Sequence, residues 1–104
     1  MRSEVLKGRV DFLLLATLRD DPLHGYAIVE KLRRASEGAF DLAEGTVYPA
    51  LYRLEGAGLL SSKWTAAGGR RRRVYQLTKR GRTELEREHK EWRAFSLAVE
   101  AVVT

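Results

Sequence analysis

The chain has 104 residues, no cysteine and a net charge of +5. That length holds one small domain with a modest core, and the missing cysteines exclude disulfides and thiolate metal sites. The longest apolar run, FLLLATL at 12–18, is too short to cross a bilayer, and the opening MRSEVLKGRVD carries acids and no cleavable signal pattern, so a soluble, cytoplasmic protein is expected.

The helical spacing of Leu6, Val10, Leu13, Leu14 and Thr17 predicts a first helix over 5–20. Phe12, Leu15 and Leu18 make it apolar nearly all round, which means burial on more than one side. Asp20-Asp21-Pro22 ends it. A second helix follows over 23–36, with Ile28, Leu32 and Ala35 as its buried stripe and Lys31, Arg33 and Arg34 outward. Gly38 suits its end. FDL at 40–42 reads as one short strand or a bare loop.

The third helix is predicted over 46–57, with Thr46 as N-cap and Pro49 in the first turn, where its missing N–H costs little. At about 100° per residue, Val47, Ala50, Leu51 and Leu54 share a core side, while Tyr48, Pro49, Tyr52 and Arg53 share the other. Residues 59–67 and 70–77 flank Gly68-Gly69 and predict a β-hairpin. A two-residue turn sets Ala67 opposite Arg70, Trp64 opposite Arg73 and Ser62 opposite Tyr75, with Leu60, Trp64, Arg73, Tyr75 and Leu77 on one face. Thr78 caps a last helix running to about Val103, charged first, with an Arg82–Glu86 pair, then apolar through Trp92, Phe95, Leu97, Val99, Val102 and Val103.

The charge is unevenly spread. Residues 1–58 hold eight basic and nine acidic side chains, and 84–104 hold three and five. Residues 59–83 hold Lys63, Arg70, Arg71, Arg72, Arg73, Lys79, Arg80 and Arg82 with no acid. A solvated surface mixes signs; a single-sign block is the footprint of a polyanion site.

The element order describes a mainly α (α+β) fold: a winged helix-turn-helix over 1–77, with a recognition helix at about 46–57 and a wing at about 59–77, plus an added C-terminal helix over 78–104. Such a helix enters the DNA major groove and offers its N-terminal residues to base edges. Thr46, Tyr48, Pro49, Tyr52 and Arg53 are the candidate contacts there, and Lys63, Arg70, Arg71 and Arg72 of the wing are candidates for phosphates or the minor groove. Tyr52 and Arg53 have a second reading, packing against the wing. Trp64, opposite Arg73, reads as a cation–π stiffener. His24 and His89 are far apart and lack a partner at metal spacing. No nucleophile–base pair, phosphate loop or dinucleotide fingerprint is present, so no catalytic residue, metal or cofactor is expected.

Three stretches carry a family resemblance: PLHGYAIVEKL at 22–32, EGTVYPALYRLEGAGLLSSKW at 44–64 and GGRRRRVYQLTKRG at 69–81. Over roughly 6–100 the chain resembles the PadR family of transcriptional regulators, compact branch with one C-terminal helix. The resemblance implies a homodimeric repressor on an inverted-repeat operator in double-stranded DNA, dimerising through the last helix and the first. It places DNA contacts on Tyr26, Thr46, Tyr48, Pro49 and the wing arginines. Some compact members hold planar aromatic ligands between subunits near a tryptophan of the last helix. Trp92 matches that position, and Phe95 and Val99 lie on the same dimer or ligand surface. The alternative is a winged-helix module for protein or RNA without operator specificity. The acid-free wing argues against it, because a protein-binding wing has no need of eight basic residues in 25.

Overall fold

The computed structural model describes residues 6 and 8–104. Helix α1 spans Val10–Thr17, strand β1 Leu23–His24, α2 Gly25–Ala35, α3 Glu44–Gly56, β2 Leu60–Ala67, β3 Arg70–Leu77 and α4 Lys79–Val103. The sheet is antiparallel in the order β1-β3-β2. This is the winged helix-turn-helix with one added helix that the pattern predicts. Helix α4 gives the molecule its length, 54 × 28 × 21 Å.

The hairpin follows the expected register: Trp64 faces Arg73, Ser62 faces Tyr75 and Ala67 faces Arg70. Gly68 and Gly69 have φ of +60° and +78°, the left-handed pair that a two-residue turn needs to match strand twist.

Several expectations need correction. The first helix is shorter than 5–20. Its interior ends at Thr17, where Lys31 Nζ donates to the Thr17 carbonyl at 2.8 Å; Pro22 forces extended backbone on Asp21, so the turn must be complete before it. The predicted start at residue 5 lies outside the described residues. The second helix begins at Gly25 rather than 23, because Leu23 and His24 pair with Tyr75 and Val74 as a third strand. The strand alternative for 40–42 is not taken: these residues form no strand, although Leu42 is buried. Ala35 is exposed, leaving Ile28 and Leu32 as the buried stripe of α2. Finally, Arg82 does not pair with Glu86; its Nη1 donates to the Arg19 carbonyl at 3.1 Å.

Helix α3 packs as expected, with Val47, Ala50, Leu51 and Leu54 buried. It starts two residues early, however. Ala43 is the N-cap and its carbonyl accepts from Thr46 N and Val47 N. Thr46 is therefore inside the helix and caps nothing. Pro49 falls in the second turn, where it costs the bond its N–H would have made to Gly45. Burial of Val47 on one side of it and Ala50, Leu51 and Leu54 on the other holds the helix through that gap.

The chain from α3 to α4 closes on a compact joint. Leu59 N donates to Leu54 O at 3.0 Å, and Gly58 sits at φ +80°. The Thr78 hydroxyl donates to Gly58 O at 2.6 Å and accepts from Gly81 N at 3.0 Å, so one side chain caps α4 and ties it to the end of α3. Thr78 N also donates to Leu59 O at 3.1 Å. A Cβ on Gly81 would lie 2.0 Å from Leu59 O, a backbone atom.

Gly81→Ala is therefore expected to lower unfolding free energy by about 1–3 kcal/mol in urea titration, and Thr78→Ala by about 1 kcal/mol. Unchanged midpoints in both variants would mean that the joint does not hold the helices together.

Candidate nucleic-acid interface

A cleft lies between the start of α2, the first turns of α3 and the wing. It is lined by His24, Gly25, Tyr26, Glu44, Tyr48, Trp64 and Arg70, Arg71, Arg72 and Arg73. The fold brings these together because β1 ends on the sheet edge where α2 begins, directly beside β3.

Tyr48 is 42% exposed, and its ring lies over Gly25. A Cβ there would meet its Cε1, Cζ and hydroxyl at 2.5–2.6 Å. The absent side chain of Gly25 is thus the seat of the tyrosine. Tyr48 both packs over Gly25 and leaves its outer edge exposed. Tyr26 is exposed and stacks on His24, with centroids 6.5 Å apart and planes 9° off parallel.

Each wing arginine has a different setting. Arg71 and Arg73 lie 4.8 and 5.4 Å from the Trp64 ring, both on its strand face. Arg73 also approaches Glu55 Oε2 at 3.7 Å, and Ser62 donates to that same oxygen at 2.7 Å. The expected Trp64–Arg73 pair is present and anchors the wing base to α3. Arg72 points to the opposite face, and its Nη1 lies 2.7 Å from His24 Nε2. Arg70, beside the glycine turn, is exposed. A guanidinium over a ring face keeps its edge N–H groups available to an anion.

His24 links the wing to α2. Ala27 N donates to His24 Nδ1 at 3.3 Å, capping the helix. A neutral imidazole has one acceptor nitrogen, so the cap and the Arg72 bond compete for it. Burial, and then the Arg72 charge, lower the ring's pKa below 6.5.

The remaining candidates lie outside the cleft. Thr46, Pro49 and Tyr52 are exposed along α3, Tyr52 at 81%; that exposure removes the reading in which Tyr52 packs against the wing. Lys63 is exposed on β2, opposite Val74. Arg53 is claimed by α1 and not by the wing: its Nη1 and Nη2 donate to Asp11 at 2.6 and 3.0 Å. Sequence reasoning missed His24 and Glu44. The period-free pair Leu23–His24 hid the first, and the misplaced helix start hid the second.

A second groove lies between α1 and α4, lined by Gly8, Arg9, Phe12, Glu88, Glu91, Trp92 and Phe95. Trp92 and Phe95 have centroids 6.2 Å apart, and the Arg9 guanidinium lies 5.5 Å from the Trp92 ring. Glu88 Oε2 is buried without a hydrogen bond among the described residues, and burial followed by the Glu84 charge raises its pKa. Val99 lies beyond this groove. From Trp92 onward α4 exposes Phe95, Leu97, Val99, Val102 and Val103. Among the described residues no helix is long and apolar enough to cross a membrane, and no cluster of three or more metal-ligating side chains occurs.

Comparison with known proteins agrees with this geometry. The model of the transcriptional regulator PadR-like family matches residues 14–87. A transcriptional regulator of Mycobacterium tuberculosis is 34% identical over 84% of this chain and 78% of its own. The structure of a transcriptional regulator from Clostridium thermocellum superposes with a TM-score of 0.87 at 27% identity, covering 97% of this chain and 99% of that one. Bacillus subtilis PadR in complex with operator DNA superposes with a TM-score of 0.69 at 26% identity, over 74% of this chain and 44% of that one.

Two outcomes are expected. Gly25→Ala should destabilise by about 1–3 kcal/mol, and less in a Tyr48→Ala background, so that a double-mutant cycle in urea reports coupling above about 0.5 kcal/mol. Additive effects would mean that the ring does not need the glycine. The lowered pKa of His24 means that the fold holds the neutral ring; its contribution is present above pH 6.5 and is lost as pH falls from there through the lower folded-state pKa. Melting temperature should therefore fall between pH 7.5 and 5.5, and fall less in His24→Asn, which caps without titrating.

Proposed function

Because this chain belongs to the PadR-like family of transcriptional regulators, which are not enzymes, we propose that it is a repressor that binds an inverted-repeat operator as a homodimer. Residues 1–77 form the DNA-binding unit, and 78–104 form the dimerisation helix. Helix α3 enters the major groove. Thr46, Tyr48, Pro49 and Tyr52 meet base edges and thymine methyls, and Tyr26 reaches a phosphate with its hydroxyl. Lys63, Arg70, Arg71 and Arg72 neutralise phosphates, Arg70 at the tip reaching toward the adjacent minor groove. Arg53, held by Asp11, serves mainly to fix α3 on α1 and only secondarily faces DNA.

The observation that carries this reading is the continuity of the exposed α3 tyrosines with a cleft walled by four consecutive arginines. Phosphate contacts supply affinity without sequence information, and the α3 face supplies selectivity.

The apolar outer half of α4 supports the homodimer. A helix exposing Leu97 at 72% and Val102 at 85% carries more contiguous apolar surface than a lone soluble chain keeps in water. Covering it with a second copy also sets the separation of the two recognition helices, which must be about 34–36 Å to reach successive major grooves. A planar aromatic effector would sit at Trp92 and Phe95, in the groove against α1. It acts only if it binds the DNA-competent and incompetent spacings with different affinity.

Tyr48→Ala should lose preference for the operator over random duplex, while Arg70→Ala should weaken binding to every duplex and reduce the salt slope by about one unit. A flat salt dependence in the unmodified protein would exclude the phosphate-binding reading. Val99→Glu should shift sedimentation from dimer to monomer and weaken operator binding about a hundredfold or more, since it leaves an unpaired charge in the interface. A monomeric unmodified protein at micromolar concentration would exclude the dimer.

A further inference from the structure

Among the described residues, Glu44 is the one acidic side chain lining the cleft between α3 and the wing; the other lining groups are aromatic, basic, or the single glycine Gly25. It is the first residue of α3, it is exposed, and it forms no salt bridge with the arginines across the cleft. A carboxylate in the first turn gains a little from the helix dipole, but that gain needs no position facing the wing. On a surface that approaches polyphosphate it opposes binding wherever it meets the backbone.

We propose that Glu44 is a specificity-determining residue that reads a cytosine in each half-site, its carboxylate accepting a hydrogen bond from the exocyclic 4-amino group in the major groove. This inference rests on the DNA-binding reading above. An ionised carboxylate only accepts hydrogen bonds, and phosphates have no donor to give it. The major-groove edges of guanine and thymine present only acceptors toward it; adenine has a donor at N6 but an acceptor beside it, N7, that repels the second carboxylate oxygen; the cytosine amine is the donor matched to Asp and Glu. The residues at the N-terminus of a recognition helix are those that reach base edges, and Glu44 stands there beside Tyr48. Where the base pair is wrong, the same charge faces an acceptor and repels it, so Glu44 discriminates by penalty as well as by contact.

The test is selection of bound duplexes from a random library by the full chain and by its Glu44→Gln and Glu44→Ala variants, with circular dichroism confirming that each folds. The unmodified protein should enrich a symmetric site. Replacing one cytosine per half-site by thymine should weaken binding about tenfold or more. In Glu44→Gln that position should change to adenine, which an amide reads; in Glu44→Ala it should become indifferent, with all other positions unchanged. Retention of the same base preference at every position in both variants overturns the proposal, as does a uniform tightening to all duplexes without change of preference, which would make Glu44 a general repulsive charge. If the unmodified protein enriches no sequence, the operator reading itself fails and this inference falls with it.

Discussion

Thr78 ties the two halves of the molecule together with a single hydroxyl. It accepts from Gly81 N at the start of α4 and donates to Gly58 O at the end of α3, within 3.0 Å in both cases. Backbone bonds from Thr78 and Leu59, and the close seat of Gly81 on Leu59 O, leave the joint no slack. The direction of α4 is thereby fixed against α3. In the proposed dimer, that direction sets how far apart the two reading helices stand. An error of a few ångströms at this joint, carried through a helix of 25 residues, becomes a mismatch with the groove spacing.

The chemistry of the exposed side of α3 follows from what the other side must do. Val47, Ala50, Leu51 and Leu54 have to be buried, so Tyr48, Pro49 and Tyr52 cannot be. The reading surface is then arranged by three local contacts. Gly25 seats Tyr48, Asp11 holds Arg53, and Glu55 with Trp64 fixes Arg73 at the wing base. Each uses one charge or ring for the scaffold and leaves Arg70, Arg71 and Arg72 on the exposed arm. Concentrating those like charges costs self-repulsion in the free protein. The Trp64 ring beneath Arg71 and the imidazole beside Arg72 offset part of it.

Period-based features were legible from the sequence. The hairpin register followed from two glycines and alternation, and the core face of α3 followed from the spacing of four apolar residues. Features that depend on distant partners were not. Arg53 and Asp11 are 42 positions apart, so nothing local assigns Arg53 to α1 rather than to the exposed face of α3. Leu23 and His24 are too short a segment to display alternation, and only β3 makes them a strand. Thr46 looked like a cap because proline favours a first turn, yet burial of Val47 and its neighbours lets the helix extend back past it to Glu44. Trp92 and Phe95 were identifiable as an apolar stripe, but their meeting with Arg9 and Phe12 depends on how α1 and α4 pack.

In the proposed dimer, two reading helices are held one helical turn of DNA apart by the α3–α4 joint and the paired C-terminal helices. The chain has no cysteine, and Gly56, the last residue of α3, has nothing within 4 Å of a Cβ position. A Gly56→Cys variant therefore accepts one spin label per protomer without disturbing its neighbours. Pulsed electron–electron distance measurement on the labelled protein should give a distribution that becomes single and narrow when its selected duplex is bound, as two reading helices fixed about 34–36 Å apart centre to centre require. Absence of dipolar coupling, or a broad distribution that operator DNA does not sharpen, would contradict the account.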